Sequence, residues 1–200
     1  MFDTLIAGGT IVDGSGRPAF KGDIGIKDGK IRAVGDLSDA VAKDVINAEN
    51  LYTCPGFIDM HSHSDLSLMA YRRGDSSLSQ GITTEVIGSC GWSMAPVKDE
   101  TKNSVLKGLI SRLVQGEAYE IPDWSWHSFG QFTEALESGG IGVNVAPLVG
   151  QSLIRAHVVG TEKRDAAPGE IEAMKALLRQ AMEDGAWGMS TGRSYQPGCF

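Results

Sequence analysis

The spacing of apolar residues changes character near residue 54. Through the first fifty residues, short β-branched runs alternate with turn dipeptides. Leu5-Ile6-Ala7 runs into Gly8-Gly9, and Thr10-Ile11-Val12 into Asp13-Gly14-Ser15-Gly16. Ile24-Gly25-Ile26 meets Lys27-Asp28-Gly29-Lys30, which leads to Ile31-Arg32-Ala33-Val34. Asp-Gly between alternating apolar residues is a hairpin signal, because the favoured two-residue turn needs positive φ at both central positions. The pattern predicts a small, open antiparallel β unit. Four or five short strands bury too little core to stand alone.

From Cys54 onward strands alternate with helices. Phe57 to His61 reads as a strand opened by Pro55-Gly56, and Leu66 to Gln80 as a helix closed by Gly81. Ile82 to Ile87 is a second strand ending at Gly88, and Val105 to Val114 carries apolar residues at helical spacing. Ser128 to Leu136 predicts a further helix and Ile141 to Val149 a third strand. Pro168 to Asp184 has one apolar stripe (Ile171, Met174, Leu177, Leu178, Met182) behind a proline suited to a first turn. Gly185 closes it, and Ala186 to Ser190 is the fourth strand. Such alternation predicts a parallel sheet with helical crossovers, an α/β fold.

The expected organisation is therefore residues 1–54 as the N-terminal part of a small β-sandwich domain, then residues 55–200 as the first four β/α units of a (β/α)8 TIM-type barrel. At ~36 residues per unit, eight units would need ~290 residues. The sequence accordingly reads as the N-terminal portion of a longer protein.

Composition narrows the function classes. Lys and Arg total 18 against 25 Asp and Glu, a net charge of −7. This balance lacks the basic patches that nucleic acid demands and offers no polybasic route to a membrane surface. No apolar run approaches the ~20 residues of a bilayer span. Met1-Phe2-Asp3 carries acid where a signal peptide would carry Lys or Arg. The three cysteines, Cys54, Cys90 and Cys199, are odd in number and widely spaced, which suits a reducing cytoplasm rather than a disulfide framework.

The candidate chemistry lies in PGFIDMHSHSD, Pro55 to Asp65. Side chains two apart share one face of a strand, so Asp59, His61, His63 and Asp65 project together if the strand persists that far. Two imidazoles ~6.6–7 Å apart along a strand can converge on one cation at ~2.0–2.1 Å per Zn–N bond. The C-terminal ends of barrel strands are where active sites gather. Cys90 ends the second strand, beside the one bearing the histidines. A free cysteine is ordinarily a small core residue; next to a His pair its thiolate could join the same metal, since zinc accepts mixed S and N ligands. His127 and His157 have no ligand-like context and read as structural or surface residues.

These residues resemble the metal-dependent amidohydrolase superfamily, and more closely its N-acyl-D-amino-acid deacylase (D-aminoacylase) branch. GFIDMHSHSD resembles the first-strand His-x-His signature. QGITTEVIGSCGWSMAP is similar to the second-strand segment carrying a metal-binding Cys, and AMEDGAWGMSTGRSYQPG to the fourth-strand Ser-Thr-Gly…Tyr-x-Pro-Gly segment. The resemblance implies one or two Zn2+ ions, with His61 and His63 as ligands of one position and Cys90 at the neighbouring, tighter one. It makes Asp65 an outer partner of the ligands and Tyr195 a substrate contact, with Arg193 a candidate for the free carboxylate of an N-acyl amino acid. The two further histidines and the Asp that acts as general base are expected beyond Phe200. Asp59 and Asp65 are expected to orient the histidines instead. The implied reaction is hydrolysis of an N-acyl-D-amino acid, a small-molecule substrate, to a carboxylate and a free D-amino acid. In one respect the chain departs from the branch: Gly150-Gln151 stands where the deacylases commonly have Gly-His.

Two competitors differ in their residues or their metal. Hydantoinase-like cyclic amidases bridge two metals with a carboxylated lysine ending the fourth strand, where this chain has no lysine; the nearest, Lys175, lies on the preceding helix. A non-catalytic protein that kept the fold would have little reason to retain both histidines and the cysteine.

Overall fold

The computed structural model describes residues 1–102, 124–194 and 196–200. The helix expected over Val105 to Val114 and the side chain of Tyr195 lie outside the described residues. By contact density the chain divides into Met1–Gly56 and Phe57–Phe200.

The first unit is one five-stranded sheet: β1 (Phe2–Ile11), β2 (Phe20–Lys27), β3 (Lys30–Gly35), β4 (Ala42–Asn47) and β5 (Tyr52–Thr53). β2 and β3 form the hairpin signalled by Asp28-Gly29, both at positive φ. The antiparallel expectation holds for β1–β2 and β2–β3 only; β4 and β5 return alongside β1 in parallel, giving a mixed sheet. Gly8-Gly9 is not a turn either. It lies within a continuous β1 as a register shift between Ile6 and Gly9, where the Gly8 N–H leaves the ladder and donates to Asp23 Oδ1 at 2.7 Å. The other Asp23 oxygen accepts the Leu37 N–H at 2.8 Å, so one carboxylate ties the bulge to the end of β3.

The second unit is built on four parallel strands in chain order: β6 (Phe57–Asp59), β7 (Ile82–Ile87), β8 (Asn144–Gly150) and β9 (Gly188–Ser190). Between them run α1 (Ser64–Ala70), α2 (Asp75–Leu78), α3 (Phe129–Ser138), α4 (Gln151–Val158) and α5 (Pro168–Glu183). Sequential parallel strands with helices between them are the first half of a (β/α)8 barrel. Ser128 caps α3 by accepting the Gln131 N–H, and Gln131 reaches back to the Ser128 N–H.

Where one helix is expected over Leu66 to Gln80, the chain forms two, separated by Tyr71–Gly74. The Arg72 guanidinium donates to the carbonyls of Leu136 and Ala135 at the end of α3, at 3.1 and 3.2 Å. The Arg72 carbonyl accepts the Gly142 N–H at 2.7 Å. These contacts satisfy backbone groups that a continuous helix would leave open at the end of α3.

Helices pack on the sheet through Leu66, Leu68, Met69, Ile87, Trp92 and Phe132, among others. Around α5 the buried set is Phe129, Val149, Ile154, Ala181 and Ala186, with Met174, Leu177 and Leu178 against it. The stripe on α5 is thus narrower than its sequence pattern suggests. Ile171 and Met182 are exposed, and the buried contact of the helix centres on the small Ala181.

Candidate metal centre

β6 ends at Asp59, so the strand does not carry Asp59, His61, His63 and Asp65 on one face as a run of extended backbone. Instead the Asp59 Oδ1 accepts the backbone N–H of His61 at 3.0 Å, an Asx turn that bends the chain out of the strand. The Ser62 N–H donates to the Val86 carbonyl at 2.9 Å, keeping the loop against β7. His63 is the N-cap of α1, and Asp65 lies in its first turn, 2% exposed. The two imidazoles still meet, edge to face, with ring centroids 5.5 Å apart.

Cys90 follows β7 by three residues in a tight loop. Gly88, Cys90 and Gly91 have φ of 77, 57 and 79°, the left-handed region that L side chains rarely occupy. Gly88 also needs its missing side chain, since a Cβ there would run into the Leu148 carbonyl of β8. Polar groups from later strands hold the loop in place. The Gly91 N–H donates to Ser190 Oγ at 2.9 Å, and Ser190 Oγ donates to the Gly88 carbonyl at 2.5 Å. The Ser152 N–H donates to the Gly91 carbonyl at 3.0 Å. Ser93, itself buried, accepts the Gly150 N–H at 3.0 Å and donates to the Ala95 carbonyl at 2.6 Å. The ends of β8 and β9 thereby fix the backbone that aims the thiol.

The result is a convergence of unlike donors. Cys90 Sγ lies 3.2 Å from His61 Nε2, and one ligand atom from each of His61, His63 and Cys90 falls within 4.8 Å of the others. Tetrahedral zinc places its N and S ligand atoms roughly 3.3–3.8 Å apart. The donor set of two imidazoles and a thiol suits zinc. Burial, with the nearby His61 as a smaller contribution, holds the His63 pKa below its ordinary value, favouring the neutral ring that a metal requires. His63 Nδ1 is buried without a hydrogen-bond partner among the described residues, as an atom facing a cation would be. The residues present therefore fit a zinc ion.

Asp65 is wholly enclosed. Burial pushes its carboxyl up to about 7, and Glu85 adds to the rise, against backbone hydrogen bonds from its own N–H and that of Gly88. Asp59 engages the His61 backbone rather than its ring. Arg193 is exposed just past β9, and Gln151 opens α4 at the end of β8. His127 pairs with Asp99 at 3.0 Å and stands 3.2 Å from Lys102 Nζ, while His157 lies half-buried on α4. Neither belongs to the cluster. Sequence reasoning missed Glu85, a carboxylate 1% exposed in the middle of β7. Its signal was a charged residue interrupting the β-branched run Ile82 to Ile87.

The sequence profile of the amidohydrolase family matches residues 44–200. A D-aminoacylase of Alcaligenes xylosoxydans xylosoxydans is 40% identical over 196 residues, 98% of this chain and 39% of that protein. A solved D-aminoacylase, described for the functional role of its binuclear metal center, superposes with a TM-score of 0.88 at 37% identity, over 100% of this chain and 40% of its own. An N-acyl-D-glutamate deacylase from Bordetella bronchiseptica, complexed with zinc and a phosphonate inhibitor, gives 0.86 at 36% identity, over 99% of this chain and 40% of its own. The chain thus spans about two fifths of the length of these relatives. With the profile running through both strand-end motifs and the half-barrel aligned along its whole length, the chain belongs to the amidohydrolase family.

Proposed function

We propose that this chain supplies metal ligands and part of the substrate pocket to a zinc-dependent hydrolase of N-acyl-D-amino acids, releasing a carboxylate and a free D-amino acid. The observation that carries the reading is the meeting of His61, His63 and Cys90 at the C-terminal ends of β6 and β7. Zinc at such a site supplies Lewis acidity toward the amide carbonyl and toward water. His61 and His63 would hold one zinc position through their ring nitrogens, and Cys90 the neighbouring one through its thiolate. Asp59 sets the bend that presents His61. Asp65, enclosed in the first turn of α1, accepts the Gly88 N–H and so holds the loop that carries Cys90. Arg193 and Tyr195 are assigned to the substrate, Arg193 toward its free carboxylate.

The relatives that cover this chain most fully are named D-aminoacylase, N-acyl-D-aspartate deacylase and N-acyl-D-glutamate deacylase, and the fourth strand favours such a reaction over a cyclic amidase. β9 contains no lysine, and Lys175 sits on α5 paired with Glu172 at 2.8 Å. No helix among the described residues is long and apolar enough to cross a membrane. A cytoplasmic setting, with a small-molecule substrate and no nucleic-acid partner, fits the net charge of −7 and the need to keep Cys90 reduced.

Metal analysis of the complete protein, joined to assay against N-acetyl-D-amino acids, tests the reading. Cys90→Ala is expected to lose bound zinc and at least ~100-fold in turnover together, on the order of what loss of a metal ligand does. A protein that purifies metal-free and fails to bind added Zn2+ overturns the proposal.

A further inference from the structure

Along His61-Ser62-His63-Ser64 the side chains part to two sides. The imidazoles meet Cys90, whereas both hydroxyls converge on Glu85. Ser62 Oγ lies 3.0 Å from Glu85 Oε2, and Ser64 Oγ donates to the same oxygen. The Ser64 N–H donates to Ser62 Oγ at 3.1 Å, which closes the loop onto itself. From the other side Ser77, on α2, donates to Glu85 Oε1 at 2.5 Å.

The alternation of β7 sends Glu85 and Ile87 to the same buried, helix-covered face. A carboxylate there is costly unless its lone pairs are filled, and an apolar residue of similar size would pack with less difficulty. The three serines meet that demand, so Glu85 and the loop are built for each other. The loop needs such a hold. β6 is three residues long, and His63 caps α1 without any side-chain hydrogen bond. Besides the Glu85 network, the loop is anchored by the Asp59 bond to the His61 N–H and the Ser62 bond to Val86.

We infer that Glu85 is a positioning residue for the metal centre: by gripping Ser62 and Ser64 it sets the backbone on which His61 and His63 ride. The inference rests on the reading of His61, His63 and Cys90 as metal ligands. Its effect is indirect, so it shows in metal affinity. Outer partners of metal ligands commonly change affinity by about 10- to 100-fold when removed.

The test is Co2+ titration of the metal-free complete protein, followed by the visible absorption of bound cobalt, with melting by circular dichroism run alongside. Glu85→Val and Ser64→Ala are each expected to weaken Co2+ binding by about 10- to 100-fold, and the double variant to be no worse than Glu85→Val alone. Glu85→Gln, which keeps an acceptor oxygen, should recover part of the loss. His61→Ala is the reference and should lose binding at the position that His61 and His63 share. If Glu85→Val does not fold, Ser64→Ala decides, since it removes one hydroxyl only. Unchanged Co2+ affinity in folded Ser64→Ala and Glu85→Val, with His61→Ala still defective, overturns the positioning role and leaves the metal reading standing. If His61→Ala binds Co2+ as the parent does, the metal reading falls and the inference with it.

Discussion

At the scale of single residues, the loop after β7 shows how much the site asks of its backbone. Cys90 occupies a left-handed conformation at φ 57°, which costs an L residue roughly 1–2 kcal/mol. Its neighbour Gly88 avoids that cost and also clears the Leu148 carbonyl. Gly14, at φ 78° with no atom within 4 Å of where a Cβ would stand, separates the two effects. Gly14→Ala is expected to lose about 1 kcal/mol and Gly88→Ala about 3 kcal/mol or more, measured by urea unfolding of the complete protein. Equal losses at the two positions would show that the Leu148 approach is unimportant. The His-x-His and Cys90 motifs were legible in the sequence because their spacing alone limits where the side chains can meet. Glu85 was not, since its partners Ser62 and Ser64 lie more than twenty residues away and a single charge in a strand has several readings.

Among the elements, what was local was readable. Asp28-Gly29 forms its hairpin and Ser128 its cap because each signal acts within four residues. The break between α1 and α2 was hidden, because the carbonyls that Arg72 satisfies lie 63 and 64 residues downstream. The parallel return of β4 was hidden for the same kind of reason: Ala42–Asn47 carries little alternation, and its partner is the first strand of the chain. At the start of α5, Glu170 accepts the Ala167 N–H at 2.8 Å and pairs with Arg164 at 2.7 Å. The Arg164 hydrogen bond, helped by that N–H, holds its carboxyl at about 2, below the ordinary 4.5. A depressed carboxylate adds stability that is complete above the unfolded pKa and is lost as pH falls through the folded one. Glu170→Gln is therefore expected to melt ~1–2 °C lower than the parent at neutral pH, with the gap closing between pH 4.5 and about 2. A gap that persists at the acid end would assign the effect to packing instead.

For the whole molecule, the four-stranded sheet has β6 and β9 as its outer strands, and large apolar residues stand open on or beside them: Ile58 in β6 is 60% exposed and Trp187, just before β9, 76%. Unpaired strand edges with apolar flanks invite association. A chain of residues 1–200 on its own is expected to self-associate at micromolar concentration and to show no deacylase turnover, as light scattering after size exclusion and an N-acetyl-D-amino acid assay would reveal. A monodisperse, active monomer contradicts this. The barrel arrangement itself was readable from the alternation of strands and helices, whereas the exposure of β6 depends on which strands surround it, and no local pattern encodes that.

The bond from Gly91 to Ser190 joins positions 99 residues apart. Because it braces the turn that aims Cys90, the orientation of the thiol depends in part on β9 being in place. A ribosome-bound chain ending before that strand would carry all three donor side chains yet hold an ion loosely. Tight metal capture would then come no earlier than β9, with zinc arriving as a late reporter of correct strand order rather than as its organiser.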